Sequence, residues 1–204
     1  MVSYRHISMA TAAPAVTRVD TATRILDAAF ERITEVGLSR TTVEDVARAA
    51  RLTRQTIYRY FPSKDRLVMA LVLREEERLL DGVRAAFVVT GSLEDALYEA
   101  SLFCLTWARE HPLLDRLLET DAQTLLPYLT VRSAPLIDRA RDVLGHLMAS
   151  KAWVRAGILE GAADAGVRVL LSYAVTRPQR APADVARDLS RIFTAALTGK
   201  EARR

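Results

Sequence analysis

At 204 residues the chain can bury a full core as one domain or two, and its formal net charge of +4 is too small to mark the whole molecule as a polyanion binder. Half of the residues are hydrophobic, only 6% are aromatic, and glycine and proline are sparse, which favours an all-α fold over a β-rich one. A single cysteine, Cys104, excludes an internal disulfide and a cysteine-rich metal site, and no apolar run reaches the roughly 18–20 residues of a membrane span.

Residues 1–19 lack a continuous apolar stretch and read as a disordered leader rather than a signal peptide. A first helix is predicted from about Asp20 to Val36, with Leu26, Ala29, Phe30 and Ile33 on one face and Gly37 as a left-handed stop. A second begins at Thr41 or Thr42. Thr41 with Glu44 has capping-box spacing, Thr42 is placed to cap one residue later, and Val43, Val46, Ala47 and Ala50 form the buried stripe. Arg51-Leu52 makes a turn. Thr53 caps a third helix whose apolar face is Ile57 and Phe61, and Pro62-Ser63 ends it.

A long fourth helix runs from about Lys64 to Phe87, and its run of three glutamates at 75–77 reads as a solvated face. A fifth spans about Leu93 to Glu110, and a short sixth opens at His111-Pro112. One or two more helices fill 122–157, with a break near Ser133-Ala134-Pro135. Gly157, Gly161 and Gly166 suggest a looser connection before two closing helices, 164–176 and 183–198.

The charge is unevenly placed. Residues 1–66 carry eleven Lys/Arg against seven Asp/Glu, whereas 67–204 carry eighteen of each. Such segregation is the footprint of a polyanion-binding face, although a merely solvated basic surface would look the same. Three helices in so few residues, the last two joined by a tight turn, fit a helix-turn-helix unit. With Ile57 and Phe61 facing inward, Arg54, Gln55, Tyr58 and Arg59 remain outward. Arginine pairs bidentately with guanine and glutamine with adenine, while Tyr58, Tyr60 and Lys64 are placed for phosphates. The three histidines, His6, His111 and His146, share no metal-ligand spacing, and no phosphate loop or nucleophile elbow is present. The chain therefore reads as a non-enzyme needing no cofactor and no metal.

Residues 24–67, RILDAAFERITEVGLSRTTVEDVARAARLTRQTIYRYFPSKDRL, resemble the N-terminal domain of TetR/AcrR-type transcriptional regulators in the order and spacing of their elements. The resemblance implies an all-α cytoplasmic homodimer that binds a double-stranded DNA operator, usually as a repressor released by a small-molecule effector. Its N-terminal three-helix helix-turn-helix domain would span 20–66, and a C-terminal helical ligand-binding and dimerisation domain 67–204. Thr42 would touch phosphate, Arg54, Gln55 and Thr56 would face the groove, and Tyr58, Tyr60 and Lys64 would hold the backbone. Arg51 departs from the pattern, because it stands where the family usually has glycine.

For the C-terminal half the candidates are softer. Phe103, Cys104, Trp107, Tyr128, Val143 and Leu147 are candidate cavity residues. Val167, Leu170, Leu171, Ala174, Leu189, Ile192, Phe193 and Ala196 are candidate dimer contacts, because the closing helices carry apolar residues on more than one face. The alternative reading is a small-molecule-binding protein with weak or non-specific DNA binding.

Overall fold

A computed structural model describes residues 16–89, 91–151, 155–177 and 179–199, and among them the regular secondary structure consists of ten α-helices. The first, α1 (Val16–Val36), begins before the expected Asp20. The remainder of the expected leader, residues 1–15, lies outside the described residues. Ile25, Ala28, Ala29 and Ile33 form the buried face of α1. Gly37 closes it at φ +90° and donates its N–H to the Ile33 carbonyl at 2.9 Å.

The next two helices are short and depend on their caps. For α2 (Val43–Ala49) the capping box is Thr42 with Asp45, not Thr41 with Glu44. Thr41 is buried instead, and its hydroxyl donates to the Gly37 carbonyl at 2.7 Å. The Thr53 hydroxyl accepts from the Thr56 amide at 3.1 Å at the start of α3 (Arg54–Tyr60). Arg51, between them, stands at φ +54°. A left-handed residue there costs on the order of 1 kcal/mol when it is not glycine. The turn holds it regardless, because Leu52 N–H donates to Ala47 O at 2.9 Å and the Arg24 guanidinium reaches Ala50 O at 2.8 Å from α1.

The rest of the chain comprises α4 (Lys64–Val88), α5 (Leu93–Glu110), α6 (Pro112–Thr120), α7 (Ala122–Leu129), α8 (Ala134–Ala149), α9 (Ala156–Thr176) and α10 (Pro182–Thr198). None of the described helices is long and apolar enough to cross a membrane. α5 packs against α4 and α10, and α9 lies mainly on α8.

Two sequence expectations fail here. Gly157, Gly161 and Gly166 lie inside α9 rather than in a connection. Gly157 and Gly161 face open space and merely lower helix propensity, whereas a Cβ on Gly166 would come 3.2 Å from Leu144, so its smallness lets α8 approach. The glutamate run is not solvated either, since Glu75 is 5% and Glu76 9% exposed.

The first core gathers Ile25, Val46, Ile57 and Leu71 with Leu113, Leu117, Leu125 and Tyr128 from α6 and α7. It crosses the sequence-based boundary at residue 66, which falls within α4. The second core holds the far half of α4 with α5, α8, α9 and α10. The α6–α7 junction thus buttresses the first three helices. There Asp121 accepts from the Leu38 amide at 3.0 Å and the Ser39 amide at 3.1 Å. Burial pulls the Asp121 carboxyl up, but the hydrogen bonds from Ser39, Thr120 and Leu38 outweigh it and hold the group below the ordinary carboxylate value.

Asp121→Ala should lower the unfolding free energy by about 2 kcal/mol, because it strands two amides, one of them buried. A shift of the urea midpoint at unchanged slope measures this. The depressed pKa fixes the sign with pH. The contribution is fully present above the ordinary carboxylate range and is lost as pH falls through it, so wild type and variant should converge in acid.

Candidate functional site

Two regions carry recognition chemistry. The first is the outward face of α3. Ile57, fully buried, pins the helix to α1 and α2, while Tyr58, Tyr60 and Phe61 pack partly against the same core. Arg54, Gln55 and Arg59 remain exposed. The Arg54 guanidinium lies 5.3 Å from the centre of the Tyr58 ring and donates to its hydroxyl at 3.3 Å, and Arg59 lies 5.7 Å from the Tyr60 ring. These contacts hold two cations against aromatic faces, which reduces the side-chain freedom lost on binding.

The other expected DNA residues are differently engaged. Thr56 is half-buried and shares its hydroxyl with Thr53 at 2.9 Å. Thr42 is exposed, but its hydroxyl is tied to Asp45 at 2.6 Å in the capping box. Lys64 donates from Nζ to the Leu38 carbonyl at 2.8 Å, so its ammonium ties α4 to the α1–α2 loop.

The second region is a cavity of about 210 Å³ walled by α4 to α10 and lined almost wholly by carbon. Leu79, Leu80 and Val83 come from α4, Ala100, Cys104 and Trp107 from α5, and Ile137, Ala140 and Val143 from α8. Leu113, Leu117 and Leu125 close the end nearest α1–α3. Of the six sequence candidates, Cys104, Trp107 and Val143 line it. Burial pushes the Cys104 thiol up to about 12, so it is a neutral, inert part of the wall.

The other three candidates lie elsewhere. Phe103 covers Gly82 so closely that no Cβ would fit there, Leu147 packs against the second core, and Tyr128 donates to Asp65 at 3.0 Å. Six expected dimer residues, Val167, Leu170, Leu171, Ala174, Leu189 and Phe193, line the cavity in the single chain. Ile192 (62% exposed) and Ala196 face outward.

The cavity's polar groups were missed in the sequence, although helical phase places Glu75 and Glu76 one turn from Val72 and from Leu79-Leu80. Glu75 accepts from Arg74 Nε at 2.9 Å and Arg78 Nη1 at 3.0 Å. His111 caps α6: its Nδ1 accepts from the Leu114 amide at 3.2 Å, which leaves the proton on Nε2, 3.4 Å from Glu75. The imidazole also stacks on Trp107 at 4.1 Å and meets the edge of Phe30 from α1 at 5.8 Å. Burial raises Glu75, but hydrogen bonds from His111 and Arg74 outweigh it and keep the carboxyl below its ordinary value.

Glu76 is less well satisfied. Among the described residues no group donates a hydrogen bond to its buried Oε2, and Arg139 Nη1 stands 3.6 Å away. Burial pushes this carboxyl up to about 7, against the pull of Arg139.

Residues 25–71 match the model of bacterial regulatory proteins of the tetR family, and residues 92–195 match that of the bacterial tetracyclin repressor C-terminal domain. The chain is 36% identical over 177 residues to the HTH-type transcriptional regulator AlkX of Mycobacterium tuberculosis, covering 83% of this chain and 82% of that protein. A shorter likeness, 32% over 84 residues, reaches the nucleoid occlusion factor SlmA of Haemophilus ducreyi, covering 41% of this chain and 42% of that one. Among solved structures, the TetR family repressor AlkX from a Dietzia species, implicated in biodegradation of n-alkanes, superposes with a TM-score of 0.73 at 28% identity. That superposition covers 87% of this chain and 95% of the other.

The Glu76 carboxyl sets a pH dependence. Its raised pKa means that the folded state keeps a proton between about 4.5 and 7 that the unfolded state releases, so its contribution falls as pH rises through that window. The slope is at most about 1.4 kcal/mol per pH unit. Urea unfolding of Glu76→Gln should show an advantage over wild type that grows from pH 4.5 to 7 and then levels. A constant difference across the range would contradict this account.

Proposed function

We propose, for a chain that belongs to the TetR family of bacterial regulatory proteins, a role as a dimeric cytoplasmic repressor that reads an operator through α3 and leaves it when an aliphatic effector fills the cavity. That it is a DNA-binding transcriptional regulator follows from its family. The observation that carries the operator reading is the exposed Arg54–Gln55–Arg59 face on a helix locked by Ile57. Arg54 and Gln55 read base edges, and Tyr58, Arg59 and Tyr60 hold phosphates together with Thr56 and the amides at the start of α2. Residues 20–66 serve as the DNA-binding unit and 67–204 as the effector and dimerisation unit, with α4 shared between them.

Dimerisation uses the outer faces of α9 and α10. α9 is apolar around much of its girth, yet Val169 and Tyr173 are only half-buried, and Ile192 stands exposed on α10. Helices of this kind require further cover. A two-fold dimer would set two α3 helices in successive major grooves, about 34–36 Å apart.

The effector class follows from the carbon-lined wall and from the alkane context of the Dietzia relative. Filling the cavity displaces Leu113, Leu117 and Leu125, which also pack against the DNA-binding helices.

Arg54→Ala and Gln55→Ala should each cost about 1–3 kcal/mol on an operator selected from random DNA and relax preference at one base. Equal loss on operator and random DNA at matched salt would sink the base-reading roles. Ile192→Asp should weaken self-association at least about tenfold in sedimentation equilibrium, since it places a charge in the proposed apolar contact. An unchanged dimer would remove α10 from the interface.

A further inference from the structure

Among the described residues, the walls of the cavity carry two acids and one histidine but no lysine or arginine. The acids differ. Glu75 is saturated by Arg74, Arg78 and His111, whereas among the described residues no group donates a hydrogen bond to the buried Oε2 of Glu76, which also lines the cavity. Glu76 as a whole is 9% exposed, and that oxygen is buried. A buried polar atom left in this state costs free energy that a hydrogen-bonding ligand recovers.

We propose that Glu76 is the polar anchor of the cavity and that it selects long-chain aliphatic molecules with an uncharged hydroxyl or carbonyl head, alcohols or aldehydes, over carboxylates. The inference rests on the reading of the cavity as the effector site.

Charged groups reach Glu76 from two elements. On α4 its neighbours are Glu75, already paired, and Glu77, which binds Arg84 at 3.0 Å and also Arg139. From α8, Arg139 stands 3.6 Å from Oε2, but it is spent on Glu77 and on the Leu73 carbonyl at 3.3 Å. A carboxylate head would therefore enter a low-dielectric space facing a second acid, with no cation in the wall to receive it. A cationic head would meet an acid that already has Arg139 behind it.

An uncharged head avoids both penalties. With a pKa of about 7, the Glu76 carboxyl is present in both forms near neutrality. Protonated, it donates to a hydroxyl or carbonyl oxygen. Ionised, it accepts from a hydroxyl. The alkyl chain then lies along Leu79, Leu80, Val83, Ile137 and Val143.

The test is calorimetric titration of the full-length protein at pH 7.5 with 1-decanol, decanoate and decyltrimethylammonium, each below its micellar concentration. Decanol should bind at least about tenfold more tightly than either ion, the weight of one hydrogen bond to a buried partner. Glu76→Gln, which keeps a donor and an acceptor, should preserve that order. Glu76→Leu should cost decanol about tenfold and, by removing the facing acid, should not weaken decanoate. Decanoate or the ammonium binding as tightly as decanol, or decanol unaffected by Glu76→Leu, would overturn the anchor and leave the aliphatic cavity standing. If none of the three binds, the cavity reading itself fails and the anchor falls with it.

Discussion

Between α1 and α2 the backbone must leave one helix and enter another while α6 and α7 press on the turn, and the carboxylate of Asp121 is what meets it there. Its two oxygens accept from the amides of Leu38 and Ser39, neither of which has an intrahelical partner. Gly37 is required for two reasons at once: its φ is +90°, and any Cβ would collide with the Asp121 carboxylate. From the other side, Lys64 binds the Leu38 carbonyl and Thr41 the Gly37 carbonyl. One turn is thereby held by an acid from the C-terminal half, a base from the start of α4 and a buried hydroxyl. The orientation of α2 and α3 depends on all three, because helices of seven residues have little stability of their own.

The same economy governs α4, which serves three purposes along its length. Its first turn anchors the loop through Lys64, its middle carries the buried acids, and its last turns pack Leu80, Val83 and Phe87 into the second core. The glutamates explain why the middle is polar where packing alone would want leucine. Glu75 joins Arg74, Arg78 and His111, and through His111 it touches the helix junction that also contacts Phe30 of α1. Replacing such a network by hydrocarbon is often neutral or stabilising in proteins, so its presence at the cavity points to a use other than stability.

What the sequence made legible follows the range of the interactions involved. The helix-turn-helix segment is written in short-range signals, and Thr53, Ile57 and Ser63 cap and anchor where local rules put them. Even there, Thr41 and Thr42 were separable only by burial, since one turned inward to Gly37 and the other capped α2. The cavity was half legible. Cys104, Trp107 and Val143 lie on its wall, but the position of Tyr128 is set by Asp65, sixty-three residues away, and that of Phe103 by the absence of a side chain at Gly82. The burial of Glu75 and Glu76 follows from helical phase, which the composition of the charge run does not carry. The glycines of α9 misled for a related reason: their local cost is real, but Ala163, Leu170 and other neighbours bury enough surface to carry the helix through.

Coupling between the cavity and the DNA-binding face requires an element whose position both can bias. Leu113, Leu117 and Leu125 satisfy this, since they wall the cavity on one side and fill the first core on the other. Asp121 lies between them in sequence and grips the loop that orients α2. A ligand that merely occupied empty space would bind both arrangements of α6–α7 equally and shift nothing, however tightly it bound. Only the difference in its contacts between the two arrangements acts, and operator DNA must by reciprocity weaken the ligand as much as the ligand weakens DNA. The close packing of these leucines makes the junction resist small deformations, so α6 and α7 would move as units rather than deform locally. Any such movement would carry Asp121 with it, and Asp121 binds the Leu38 and Ser39 amides of the α1–α2 loop that leads into α2 and α3.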